Sequence, residues 1–210
     1  MSDPNRRTVD ARVVYPSSNE YGIPDMPVAH GKPAQLVPYS DRRACETASD
    51  AAVHFFLDDY RFEVCWSAPE RPLNRLKLVG TALTPDFSLW TGMPVAAQLW
   101  QVYRARWCGM WMTGHGIGVI PTVSWSDAAS HRYAFAGIAR GSVVAVSTVG
   151  VRRDAEAMKL FALGAEAMLQ AVAPSAILCY GAWPWNAIRM PELADAVTEY
   201  PTRWERQWTS

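Results

Sequence analysis

Val53-His54-Phe55-Phe56-Leu57 forms a largely apolar run that stops at Asp58-Asp59. Four more runs follow the same plan. Leu78-Val79-Gly80-Thr81-Ala82-Leu83 leads into Thr84-Pro85-Asp86, and Gly118-Val119-Ile120-Pro121-Thr122-Val123 into Ser124-Trp125. Val143-Val144-Ala145-Val146 leads into Ser147-Thr148, and Ala176-Ile177-Leu178-Cys179 into Tyr180-Gly181. Short apolar runs closed by polar turns suit strands buried on both faces, the habit of parallel sheets.

The segments between the runs read as helices. One spans Pro94 to about Met112, with the proline in a first turn that tolerates it. A second runs from an Asp154 N-cap to about Val172, where Pro174 stops it. Shorter candidates lie at 69–76 and 191–199. Strand and helix alternate, which predicts an α/β fold with right-handed crossovers. The expectation is a single α/β domain over 51–210, with about five mainly parallel strands in an open sheet or a partial, barrel-like wrap. A complete eight-stranded barrel typically needs about 250 residues, and this chain has 210. Residues 1–50 carry Pro4, Pro16, Pro24, Pro27, Pro33 and Pro38. Such density disfavours long helices and central strands. Yet Val13, Ile23, Leu36 and Val37 are apolar, so an extended arm packed on the domain is expected.

Half of the chain (50%) is hydrophobic and 19% is charged, which excludes an intrinsically disordered protein. Twenty basic residues balance twenty acidic ones, so net charge gives no support to a general nucleic-acid binder. Seventeen of the basic residues are Arg, which matches codon bias but also favours bidentate contacts to phosphate and carboxylate. Ten Trp exceed what the core needs, making some of them candidates for a pocket or partner surface. Cys45, Cys65, Cys108 and Cys179 lack zinc-finger spacing and read as buried free thiols. The first residues lack the pattern of a signal peptide, and no apolar run reaches the ~18 residues of a membrane span. These features predict a soluble, cytoplasmic protein with no membrane partner.

Ligands of parallel α/β proteins bind beyond the carboxyl ends of the strands, so the polar residues there are weighed first. Asp58, Asp59 and Glu63 follow the first run, with Arg61 among them; Asp86 follows the second, beside Ser88. Clustered carboxylates can share protons, hold a divalent metal or bind a substrate hydroxyl. They can equally cap turns and pair with Arg61. Arg104 and Arg106, on a mostly buried helix, need partners: these acids or an anionic ligand. Ser124 and Trp125 close the third run, as substrate contact and stacking wall or as cap and core. No nucleophile elbow, Gly-rich phosphate loop or H-E-x-x-H motif is present. His54 lies within a strand and reads as a core histidine.

Several of these strings, in the same order, resemble an uncharacterised family, domain-of-unknown-function family 4417. They are His54-Phe55-Phe56-Leu57-Asp58-Asp59-Tyr60-Arg61-Phe62-Glu63, Pro85-Asp86-Phe87-Ser88, Tyr103-Arg104-Ala105-Arg106-Trp107, residues 119–125 and Val146-Ser147-Thr148-Val149-Gly150-Val151. The resemblance covers roughly residues 50–182. It implies a phage, prophage or plasmid setting and no reaction. The arm and the Trp-rich end (Trp183, Trp185, Trp204, Trp208) lie outside these motifs.

Two classes of function remain. One is an enzyme acting on a phosphate- or nucleotide-containing substrate, with Asp58, Asp59, Glu63 and Asp86 as acids and bases. Arg61, Ser88, Arg104, Arg106, Ser124 and Trp125 would then bind substrate, and a divalent metal is a candidate cofactor. The other is a non-catalytic interaction protein that binds a host protein or nucleic acid, for which Arg and Trp suit hot spots.

Overall fold

A computed structural model describes residues 12–188 and 193–206. Seven strands run through it: β1 (Gln35–Pro38), β2 (Ala51–His54), β3 (Thr81–Leu83), β4 (Gly118–Ile120), β5 (Val143–Ser147), β6 (Ala176–Tyr180) and β7 (Val197–Tyr200). Helices alternate with them: α1 (Arg42–Thr47), α2 (Val64–Ser67), α3 (Leu73–Val79), α4 (Val95–Gly114), α5 (His131–Ala134), α6 (Ala155–Val172) and α7 (Arg203–Arg206). The α/β class expected from the sequence holds.

β1 to β4 form one sheet and β5 to β7 another, each in sequence order, and every ladder between named strands is parallel. The two sheets meet just past β4. Thr122 bridges Ala145 in parallel, Val123 N–H donates to the Ala145 carbonyl at 2.8 Å, and Ala145 N–H donates to Pro121 at 2.9 Å.

Side-chain alternation divides the core. Val37, Val53 and Ala82 face outward against Leu76, Ala105 and Trp107. Val144, Val146, Ile177 and Cys179 face outward against Phe161, Ala165 and Met168 of α6. The opposite faces share one cluster: Leu36, Ala52, Leu83, Ile120, Val143, Ala145, Ala176, Leu178, Tyr180 and Tyr200. Every strand contributes to it, so the two sheets wrap round a common interior like a seven-stranded barrel. Its alanines keep that interior narrow. β7 and β1 share no ladder among the described pairs. At that seam the Tyr200 hydroxyl donates to the Pro33 carbonyl at 2.6 Å.

Several expectations change. The extended arm expected over residues 1–50 contains an edge strand, for Gln35–Pro38 pairs with β2 along its length. β1 is the outermost strand of its sheet, where Pro38 is tolerated. The run 78–83 straddles two elements, because Gly80 adopts φ +83° and ends α3 before β3 begins. The 191–199 helix is not found. Residues 197–200 form β7, and 189–192 lie outside the described residues. Asp154 does cap α6, accepting from Glu156 N–H at 2.8 Å and Ala157 N–H at 3.1 Å.

Two substitutions probe this architecture. A Cβ at Gly164 on α6 would fall 2.0 Å from the Trp125 indole nitrogen. Gly164→Ala should therefore destabilise by about 1–3 kcal/mol, against the ~1 kcal/mol that helix propensity alone would gain. Tyr200→Phe leaves the Pro33 carbonyl without its donor and should cost about 1–2 kcal/mol. Urea unfolding measures both, and an unchanged midpoint in either would show that contact to be dispensable.

Candidate functional site

A cavity of about 1350 Å³ opens at the carboxyl ends of the strands. Its lining draws on every strand end: Asp41 after β1, Asp58 after β2, Asp86 after β3, Ser124 after β4, Ser147 on β5, Tyr180 on β6 and Thr202 after β7. Drug-sized pockets commonly occupy about 300–1,000 Å³, so the space accepts a sizeable small molecule.

Reciprocal hydrogen bonds hold the third and fourth strand ends together. Thr122 N–H donates to Thr84 Oγ1 at 2.9 Å, and Thr122 Oγ1 donates to the Thr84 carbonyl at 2.8 Å. This clamp sets Asp86 beside Ser124, whose hydroxyl donates to the carboxylate at 3.1 Å. Burial pushes the Asp86 carboxyl up to about 7; the Asp59 charge adds to the rise, while Ser124 and the Arg106 guanidinium oppose it. Asp86 thus gives the cavity an acid that titrates near neutrality.

The sequence-derived candidates separate into two groups. Asp58, Arg61, Asp86, Ser88, Ser124 and Trp125 line the cavity. Asp59, Glu63, Arg104 and Arg106 do not. Asp59 accepts from the Ser88 hydroxyl at 2.8 Å and from Ser88 N–H at 3.1 Å, which fixes the turn after β3. Glu63 is bound by Arg104 at 2.9 Å, while Arg104 also meets Gln101 Oε1 and lies 3.9 Å over the Phe87 ring. Arg106 donates to the carbonyls of Thr122, Ala134 and Ala136 at 3.0, 3.0 and 3.2 Å. Trp125 donates its indole N–H to the Leu160 carbonyl at 3.1 Å and packs on Phe161, forming a fixed wall.

Other residues at the mouth lie outside the sequence-derived candidates. His54, the last residue of β2, is a core histidine, 1% exposed, that also borders the cavity. Phe56 N–H donates to its Nδ1 at 3.2 Å. That bond assigns the proton of the neutral ring to Nε2. The ring lies 4.5 Å from Tyr180, and Phe56 stacks on Tyr180 at 5.1 Å, so three aromatic rings share this end of the barrel. Inward register with Ala52 was the signal available for His54. Trp90 and Trp204 line the cavity while remaining 55% and 69% exposed. Trp208 lies outside the described residues.

Among the described residues, no three His, Cys, Asp or Glu side chains gather to hold a metal ion. The divalent-metal expectation therefore finds no ligand cage among the described residues. The four cysteines are free and buried, and burial raises every thiol above its ordinary range. They are poor nucleophiles in that state. No described helix is long and apolar enough to cross a membrane.

Two phage proteins are similar to this chain. The "Gene 1 protein" of Mycobacterium phage L5 is 45% identical over 202 residues, covering 95% of this chain and 86% of that protein. The "Gene 1 protein" of Mycobacterium phage D29 is 44% identical over 202 residues, covering 95% and 73%. No solved structure matches. The family model for Domain of unknown function (DUF4417) matches residues 15–201, so the likeness reaches past the 50–182 motifs into β1 and β7. The chain belongs to that family, DUF4417.

Proposed function

We propose that the cavity is the active site of an enzyme acting on a phosphate- or nucleotide-containing small molecule, with Asp86 as the general acid–base. The observation that carries this reading is the half-buried Asp86 carboxylate at the cavity wall, held by the Ser124 hydroxyl at 3.1 Å, with desolvation pushing its pKa up to about 7. A general acid or base works best when its pKa lies near the working pH. The phosphate would meet Arg61, whose present partner Asp58 sits 3.2 Å away in an exposed pair. Exposed pairs contribute little, so the guanidinium can exchange its partner for a substrate anion. Ser88 and Ser124 supply hydroxyl contacts and Trp125 a wall. Asp59, Glu63, Arg104 and Arg106 act as positioning residues. Asp59 holds Ser88 and raises Asp86, while Arg106 holds three carbonyls and tempers that rise.

The Asp86 reading has a consequence for stability. Below about pH 3 its carboxyl is neutral in both folded and unfolded chains. As pH rises the unfolded chain ionises first, and the folded chain follows only near 7. Stability present in acid is lost across that window and does not return above it. Asp86→Asn should therefore gain about 1–3 kcal/mol over the parent at pH 8 and almost nothing at about pH 3. Denaturant titrations at both pH values read this directly, and a pH-independent difference would remove the raised carboxyl from the account.

Ligand binding is tested by thermal unfolding against nucleotides, sugar phosphates, divalent metals and short oligonucleotides. A ligand at about 100 times its Kd should stabilise the fold by ~2.7 kcal/mol. A shift that disappears in Arg61→Ala or changes its pH dependence in Asp86→Asn supports the site. If no small ligand shifts the transition, the enzyme reading fails and binding to a host protein or nucleic acid takes its place.

A further inference from the structure

The cavity rim carries two large apolar rings that no core requirement explains. Trp90 stands after β3 and is 55% exposed; Trp204 stands on α7 after β7 and is 69% exposed. Both line the same cavity. Each sheet keeps its strands in sequence order, and the sheets join past β4. β3 and β7 are therefore separated by β4, β5 and β6 on one side and by β2, β1 and the seam on the other. The two indoles therefore reach the one cavity from strands that are not neighbours. Of the seven other described indoles, five are buried or half-buried, while Trp100 and Trp185 are 46% and 39% exposed and Trp100 packs against Trp66. Trp66 and Trp107 lie edge to face at 5.2 Å, and Trp125 is pinned to α6. Leaving an indole in water is unfavourable, and two of them facing one cavity suit a planar, polarizable guest.

Charge narrows the guest further. Arg42, Arg61 and Arg203 also line the cavity, and Arg203 adjoins Trp204 in sequence. Arg42 pairs with the exposed Glu46 at 2.7 Å, and Arg61 pairs with Asp58 and lies 5.3 Å over the Tyr60 ring. Such pairs are easily exchanged for a phosphate, which guanidinium binds bidentately. Aromatic faces beside guanidinium groups match a ring joined to an anion.

We infer that Trp90 and Trp204 form a nucleobase clamp, so that the cavity takes a free nucleotide with its phosphate toward the arginines. This rests on the cavity being a small-molecule site and names which of its two substrate classes fits.

The test is calorimetric titration of the intact protein with the four common nucleoside monophosphates, ribose 5-phosphate and a single-stranded hexanucleotide. At least one mononucleotide should bind and quench tryptophan fluorescence, with ribose 5-phosphate at least tenfold weaker. Trp90→Ala and Trp204→Ala should each weaken the nucleotide about tenfold and leave ribose 5-phosphate unchanged. Trp90→Phe should retain most of the affinity. Both residues are exposed, so these variants should fold, and an unchanged unfolding midpoint verifies it. Equal binding of ribose 5-phosphate and nucleotide, insensitive to both tryptophans, would overturn the clamp while leaving the small-molecule site intact. Failure of all these probes to bind would overturn both. Tighter binding of the hexanucleotide than of any mononucleotide would overturn the choice of a free nucleotide.

Discussion

A parallel strand cannot pair with its predecessor until the chain has crossed back outside the sheet, and the twist of strands makes that crossover right-handed. Applied from β1 to β4 and again from β5 to β7, the rule leaves the helices outside and the strand ends on one rim. The interior then belongs to side chains of one register, and its narrowness follows from Ala52, Ala145 and Ala176. Nothing else in the molecule would bring Asp58, Asp86, Ser124 and Thr202 to one cavity, because nearly 150 residues separate the first from the last. The Thr84–Thr122 clamp and the Thr122–Ala145 bridge carry the arrangement past β4, where the ladder would otherwise end.

Within that frame, buried charge is managed in two different ways. Arg104 reaches the partly exposed Glu63, shares Gln101 and covers Phe87, so its charge is shared among a carboxylate, an amide and an aromatic face. Arg106 lies deeper and has no carboxylate in hydrogen-bond range among the described residues. Three backbone carbonyls at 3.0–3.2 Å take its donors. A buried arginine needs partners, and carbonyl oxygens at loop ends supply the negative potential that an acid or a ligand anion would. Asp86 is left without a direct ion pair for that reason, and burial dominates its protonation.

The legible parts of the fold are those where burial alone sets the composition. β5 and β6 lie buried on both faces and read as near-continuous apolar runs. β1 and β7 flank the seam, so Gln35, Pro38 and Glu199 can occupy them, and no apolar run announces either strand. Glu199 even serves the loop after β6, accepting from Trp183 N–H at 2.9 Å and the Trp185 indole at 3.2 Å. The helix end at Gly80 is local backbone chemistry that the apolar run 78–83 concealed. The same division holds at the mouth. Acids following apolar runs stood out, because strand ends can be located from the runs. His54 did not, because its role depends on which face of β2 turns inward, and that requires β1 to be placed.

Tryptophan shows how position converts a compositional oddity into an argument. Ten indoles in 210 residues say little by number alone. Trp66 and Trp107 form an aromatic ladder with Trp111, with Arg12 over the first at 4.1 Å and the second at 5.1 Å. Trp107 also donates to the Val13 carbonyl at 2.9 Å, so this ladder anchors the N-terminal segment to α4. Trp100 leans edge-on against Trp66 at 5.1 Å, and Trp183 against Phe161 at 5.9 Å. Trp125 occupies the space that Gly164 leaves open. Each of these rings has a packing reason to be where it is. Trp90 and Trp204 have the opposite property: they sit where packing gains least, on the lips of a cavity whose walls already offer arginine and carboxylate. A ring retained in water at that place is explained by what it can hold there.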